Sequence, residues 1–222
     1  MKIATWNIER LKPRKRLPLI LEEIAKASPD ILVLTEANSD VNLPYFTSKV
    51  MSAPLYGTEY RETEHRTIIY SKYKLIGNLS TYDDKTAICP VFETPLGPLA
   101  VYGTIIGIHG NRRRSFQEDL EKQLSDYDRI AKEMPICIAG DFNMSFSDNY
   151  YFTKSGRNQL NDCFAQNNLV NLTVELPEAI DHIVVSESFV NNRPSKLTEW
   201  NLDKSLSDHK GVCVELGKPF TL

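Results

Sequence analysis

Apolar residues fall into short, dense runs, and most of these runs stop at a polar or charged residue. Ile136-Cys137-Ile138-Ala139 breaks at Gly140-Asp141-Phe142-Asn143, the pattern of a strand covered on both faces that delivers two oxygen-bearing side chains at its end. The same ending recurs. Ile3-Ala4-Thr5-Trp6 runs into Asn7-Ile8-Glu9, and Ile31-Leu32-Val33-Leu34-Thr35 into Glu36. Asp181 and His182 sit inside Ala179 to Val185, and Ser207-Asp208-His209-Lys210-Gly211 stands just ahead of another apolar run.

Between these strands the period changes. Ile20, Leu21, Ile24 and Ala27 recur at helical spacing from Pro18, which suits a first helical turn, and Ser28-Pro29-Asp30 ends that helix. Ser115-Phe116-Gln117-Glu118 has the form of a capping box, opening a helix that turns Phe116, Leu120, Leu124, Tyr127 and Ala131 inward and stops before Pro135. A shorter helix is predicted over 157–167 with Leu160 and Phe164 inward. Strands are predicted over 67–71, 86–89 and 99–106 as a meander, with 94–98 as the turn before the last. The stretch 37–64 shows no clear period. No internal repeat, low-complexity segment or long linker is visible, so a single domain over 1–222 is expected.

No apolar run approaches the about 18 residues of a membrane span, and strand-like sequence starts at Lys2, so neither a span nor a leader is expected. A cytoplasmic monomer is the expectation. Cys89, Cys137, Cys163 and Cys213 are scattered without a zinc-type spacing and are expected as reduced core residues. The formal net charge of -3 speaks against polyanion binding by the whole surface and leaves room for a local basic rim. Two runs qualify: Arg10 to Arg16, and Arg112-Arg113-Arg114. Each is either such a rim or a solvated loop.

The ordered set Asn7, Glu9, Glu36, Gly140-Asp141-Phe142-Asn143, Asp181 and Ser207-Asp208-His209 resembles the endonuclease/exonuclease/phosphatase superfamily, over nearly the whole chain from Trp6 to Gly211. The resemblance implies an α/β fold of two packed mixed β-sheets flanked by helices in four layers. It also implies hydrolysis of a phosphoester assisted by Mg²⁺ or Mn²⁺, which suits a site of carboxylates and carboxamides without thiols.

By that resemblance Glu36 is the leading metal ligand, with Glu9 and Asp208 as secondary ones. Asp141 takes a proton from the attacking water, and Asn143 contacts the phosphoryl oxygens or holds Asp141. His209 contacts the phosphate, oriented by Asp181. Asn7 holds a phosphate oxygen, orients a carboxylate or caps its turn. His182, next to Asp181 along a strand, points to the opposite face and is expected to be structural. Relatives carry a tyrosine or histidine after the strand over 99–106; this chain has Gly103-Thr104 and then His109, which is either the general acid or an exposed loop residue. A nuclease gripping nucleic acid through Arg10 and Arg112 to Arg114 is expected first. A phosphatase or phosphodiesterase acting on a small molecule or lipid headgroup is second, and a binding module with a dead site third.

Overall fold

The computed structural model describes residues 1–55 and 57–218. Among these residues twelve strands form two sheets of six. The first holds β1 (Lys2–Asn7), β2 (Ile31–Asn38), β3 (Ser48–Met51), β4 (Glu64–Ser71), β11 (Ser195–Trp200) and β12 (Gly211–Leu216), in the order β11-β12-β1-β2-β4-β3. The second holds β5 (Lys74–Leu79), β6 (Cys89–Thr94), β7 (Gly97–Ile105), β8 (Ile136–Asp141), β9 (Leu169–Asn171) and β10 (Asp181–Ser186), in the order β5-β6-β7-β8-β10-β9. The helices are α1 (Leu17–Ala27), α2 (Arg114–Glu133), α3 (Lys154–Gln166) and the single turn α4 (Glu187–Val190).

Four layers follow from the two-residue alternation along each central strand. In β8, Cys137 and Ala139 face the first sheet, where they share a core with Ile3 and Val33, while Ile136 and Ile138 face α2 and α3 among Phe116, Leu120, Leu160 and Phe164. In β1, Ile3 turns to the middle layer and Ala4 and Trp6 to the outer one, where α1 seats Ile20 and Ile24. Each of these large side chains contributes about 1.5–3 kcal/mol by leaving water. The four cysteines are free and buried.

Among the described residues only two neighbouring pairs are parallel: β1 with β2 across α1, and β7 with β8 across α2. All four of those strands end at one edge, where open sheets bind ligands. The antiparallel strands β4, β10 and β12 begin at that same edge: Ala37 pairs with His65, Asp141 with Asp181, and Thr5 with Val212. Strand ends and strand starts together build the rim.

Several local expectations are corrected. Helix α2 starts at Arg114 with Arg113 as its N-cap, so Ser115 lies inside the first turn and caps nothing; Glu118 accepts from Arg114 Nε at 2.8 Å instead. The strand expected over 86–89 is displaced to Cys89–Thr94, because residues before it make only the bridge Ile88 to Gly103 and Pro90 is accommodated within the strand. Strand β4 belongs to the first sheet, so the meander is β5-β6-β7, and β5 is an exposed edge strand without alternation. Asp181 opens β10 rather than lying inside it.

Candidate active site

Strand β8 reaches the rim through Gly140, whose φ is +145° and whose missing side chain is essential: a β-carbon there would stand 1.9 Å from Thr104 O on β7. The chain then turns sharply. Asn143 adopts φ +48° and donates its N–H to Asp141 Oδ1 at 2.9 Å. That bond pins one carboxylate oxygen and leaves Oδ2 for the cleft.

Asp141 Oδ2 receives Asn7 Nδ2 at 3.3 Å, and the same amide nitrogen lies 3.4 Å from Glu36 Oε1. Asn7 Oδ1 accepts Glu9 N–H at 3.0 Å, which fixes which end of the amide points at the carboxylates. Asn7 therefore orients Asp141 and Glu36 together.

His209 approaches from the first sheet. Its Nδ1 is 2.6 Å from Asp181 Oδ2, and its Nε2 is 4.0 Å from Asp141 Oδ2 and 3.6 Å from Asp208 Oδ1. Its backbone is tied down: His209 O accepts from Trp6 Nε1 at 3.1 Å and Asn201 Nδ2 at 2.7 Å, and His209 N donates to Ser207 Oγ at 3.2 Å. Gly211 follows because Trp200 occupies the space of a side chain there, 1.9 Å from where a β-carbon would stand.

Burial disfavours the His209 imidazolium, but Asp181 and Asp141, with the direct hydrogen bond from Asp181, outweigh it and raise the ring to about 10. Burial pushes Asp141 up to about 7 against the opposing pull of His209. Burial also raises Asp181, toward the neutral acid, against His209. Three carboxylates within 4.0 Å of one ring favour imidazolium with ionised Asp181 as the state of that pair.

The cleft holds about 230 Å³ and is lined by Asp141, Asn143, His209, Glu36 and Arg10 on one side and by His109, Ile108 and Gly107 on another. Its lining also includes Leu55 and Tyr60 from the stretch without a readable period, and His65 and Arg66 just after it at the start of β4. His65 Nδ1 lies 2.8 Å from Ser52 O, and Arg66 Nη1 donates to Thr86 Oγ1 at 2.6 Å. Glu64-His65-Arg66 ahead of the apolar run 67–70 was the available signal, the mirror image of a strand ending in polar residues.

Other expected residues stand apart. Glu9 accepts the Asp208 backbone N–H at 3.2 Å and Arg16 Nη1 at 3.4 Å outside the cleft lining, while the Asp208 carboxylate stands 3.6 Å from His209 Nε2. Arg112, Arg113 and Arg114 are exposed and lie past Gly110, outside the cleft lining; Arg112 and Arg113 precede α2 and Arg114 is its first residue. Thr104 is fully buried and donates to Gln123 Oε1 at 2.8 Å, so it lies outside the cleft and His109 is exposed at its wall. Asn143 Nδ2 donates to Ile106 O at 2.9 Å and braces the turn. His182 faces away: its Nε2 bonds Met144 O and its Nδ1 Thr173 Oγ1, each at 2.9 Å.

Among the described residues no three His, Cys, Asp or Glu side chains converge at metal-site spacing. Glu36, with Asn7 and Asp141 beside it, nevertheless offers hard oxygen at the cleft mouth. That fits Mg²⁺ or Mn²⁺, which take one or two carboxylates and fill the remaining positions with water and substrate. No helix among the described residues is long and apolar enough to cross a membrane.

Residues 4–209 match the model of the Endonuclease/Exonuclease/phosphatase family. Among curated proteins no sequence matches. Solved structures with similar folds include an endonuclease/exonuclease/phosphatase from Beutenbergia cavernae, at 17% identity and TM-score 0.73, over 98% of this chain and 72% of that one. An AP endonuclease from Archaeoglobus fulgidus matches at 14% and 0.73, over 97% and 99% of the two chains. A 3′-5′ exonuclease from Neisseria meningitidis matches at 17% and 0.72, over 98% and 100%.

Proposed function

The chain belongs to the endonuclease/exonuclease/phosphatase family, a family of hydrolytic phosphoesterases, and on that premise we propose that it is a Mg²⁺- or Mn²⁺-dependent phosphodiester hydrolase with DNA or RNA as its substrate. One observation carries the reading: a carboxylate oxygen, an imidazole nitrogen and a carboxamide face one point, with Asp141 Oδ2 3.3 Å from Asn7 Nδ2 and 4.0 Å from His209 Nε2. In-line attack on phosphorus needs an acceptor for the water proton and donors for the growing negative charge at such a point.

Asp141 Oδ2 takes the proton, since its other oxygen is held by Asn143 N–H. His209, protonated and steadied by Asp181, donates from Nε2 to a phosphoryl oxygen. Asn7 keeps the two acids in register, and the second N–H of Asn143 Nδ2 adds a donor. His109, exposed at the cleft wall, protonates the leaving oxygen. Glu36 would hold the cation, with Glu9 and Asp208 at the lip as its outer acids. A divalent cation held there would supply positive charge that offsets the negative charge growing in the transition state. Residues from Asn7 to His209 build this one site, which supports reading the chain as one domain.

The Neisseria neighbour above, NExo, is also known as a 3′ phosphatase in a structure bound to product DNA hairpin, which supports a nucleic-acid substrate. A second reading, a small phosphoester, is favoured by the cleft's volume of about 230 Å³ and its apolar lining residues Leu55, Tyr60 and Ile108. Incubation with supercoiled plasmid, single-stranded DNA, RNA and a phosphomonoester panel separates the two. Nicking or shortening of a polynucleotide, abolished by chelator, is expected; turnover of small esters alone selects the second reading.

A further inference from the structure

Arg10 stands between two carboxylates. Its Nε is 3.4 Å from Glu36 Oε2, and its Nη1 is 3.7 Å from Glu64 Oε2. Glu64 is only 1% exposed and also lies 3.8 Å from Lys12 Nζ. Charges touch here without locking: neither Arg10 Nε nor Glu64 Oε2, both buried, makes a hydrogen bond. A guanidinium settled on a buried carboxylate normally forms a fork of short hydrogen bonds. Its absence marks Arg10 as a charge shared between two seats.

The backbone that aims it is held against its own preference. Glu9, Arg10 and Leu11 have φ of +45°, +56° and +58°, and Glu36 has +38°. The left-handed conformation costs L-residues about 1–2 kcal/mol each. Burial of Leu11 and the bond from Glu9 N to Asn7 Oδ1 hold the turn in place. Strain kept beside reactive groups is a sign of function. Below the guanidinium, 5.5 Å from its centre, lies the Tyr60 ring.

A guanidinium and a divalent cation compete for one carboxylate. We propose that Glu64 is a positioning residue that draws Arg10 off Glu36 when a divalent cation takes that carboxylate, so that the division of Arg10 between Glu36 and Glu64 sets the affinity of the site for metal. This rests on the reading of Glu36 as the metal ligand. With Glu36 occupied, Arg10 remains on Glu64 over Tyr60, and its unused N–H donors face the cleft and the substrate phosphate. Without Glu64, Arg10 has Glu36 alone and obstructs it.

The test is Mn²⁺ binding in the absence of substrate, by calorimetry or by the electron paramagnetic resonance of free Mn²⁺. Wild type, Arg10→Ala, Glu64→Gln and the double variant are compared, with folding checked by circular dichroism. Arg10→Ala is expected to bind Mn²⁺ about fivefold tighter and Glu64→Gln about fivefold weaker. In the double variant the Glu64 effect disappears and affinity equals that of Arg10→Ala. A Glu64 effect of equal size in both backgrounds would show Glu64 acting as a distant charge and overturn the proposal. Should Glu64→Gln fail to fold, Glu64→Asp keeps the charge, shortens the reach and carries the same expectation. Wild-type binding that no variant moves defeats this proposal alone, whereas no Mn²⁺ binding by wild type defeats the metal assignment as well.

Discussion

Asp181 Oδ2 meets His209 Nδ1 at 2.6 Å, and both side chains are nearly buried. Neither is useful alone. Without Asp181 the ring loses its orientation and its closest negative charge; without His209 a buried carboxylate loses its partner. Asp181→Ala and His209→Ala are each expected to lower kcat by about 10²–10⁴, with the double variant no worse than the worse single one. Steady-state kinetics of the three variants checks this, and full activity of Asp181→Ala would refute the pairing.

The same contact gives a pH dependence. His209 acts as the imidazolium, so activity falls as pH rises through its raised value of about 10. In Asp181→Asn the nearest carboxylate is gone, the imidazolium is less favoured, and the alkaline limb of the pH-rate profile moves to lower pH. A limb that stays in place means that another group governs it.

His182 predicts the behaviour of the fold in acid. Burial lowers its ring to about 4 in the folded protein, against about 6.5 in an unfolded chain. The unfolded state therefore binds the extra proton first. Stability is unaffected above about 6.5, declines as pH falls from there to about 4, and the total loss from this ring is about 3 kcal/mol. In His182→Asn, denaturant midpoints between pH 7 and 4 should change less with pH than in wild type.

Gly140 predicts a structural failure. A methyl group 1.9 Å from Thr104 O cannot be accommodated without parting β7 from β8. Gly140→Ala is expected to cost about 4 kcal/mol or more, visible as a large drop in denaturant midpoint or loss of soluble protein. A melt like that of wild type would mean that the strands can separate there.

What the sequence made legible follows from strand direction. Asn7, Glu36 and Asp141 end parallel strands, so each follows its apolar run and stands out. Asp181 and Ser207 to Gly211 stood out against their apolar runs too, but their roles came from the family resemblance, since antiparallel strands present their first residues at that edge. Glu64, His65 and Arg66 occupy the same kind of position on β4 and went unread, because nothing before them has a period. Sequence also showed the inward faces of α1, α2 and α3. It did not show that α2 starts at Arg114 without a Ser115 cap, or that Arg112 to Arg114 stand outside the cleft lining, because a cap depends on local φ and ψ that side-chain patterns do not encode.

Arg112 and Arg113 remain exposed cations a short distance along the chain from the cleft wall. If a polynucleotide extends past Gly110, Arg112→Ala with Arg113→Ala should reduce the slope of log affinity against log salt by up to about 1.8 on duplex DNA, about 0.9 for each phosphate no longer neutralised. An unchanged slope would mean that these arginines only solvate the start of α2.

The most direct measurement is cleavage of supercoiled plasmid and single-stranded polynucleotide by wild type, Asp141→Asn and Glu36→Ala, across a titration of Mn²⁺. Wild type is expected to cleave only with metal. Asp141→Asn should bind Mn²⁺ yet lose about 10²–10⁴ in rate, and Glu36→Ala should need far more Mn²⁺ for any activity. Cleavage by Asp141→Asn at the wild-type rate, or by wild type in excess chelator, would contradict the convergence of Asp141, Asn7, His209 and Glu36 on one reacting phosphate.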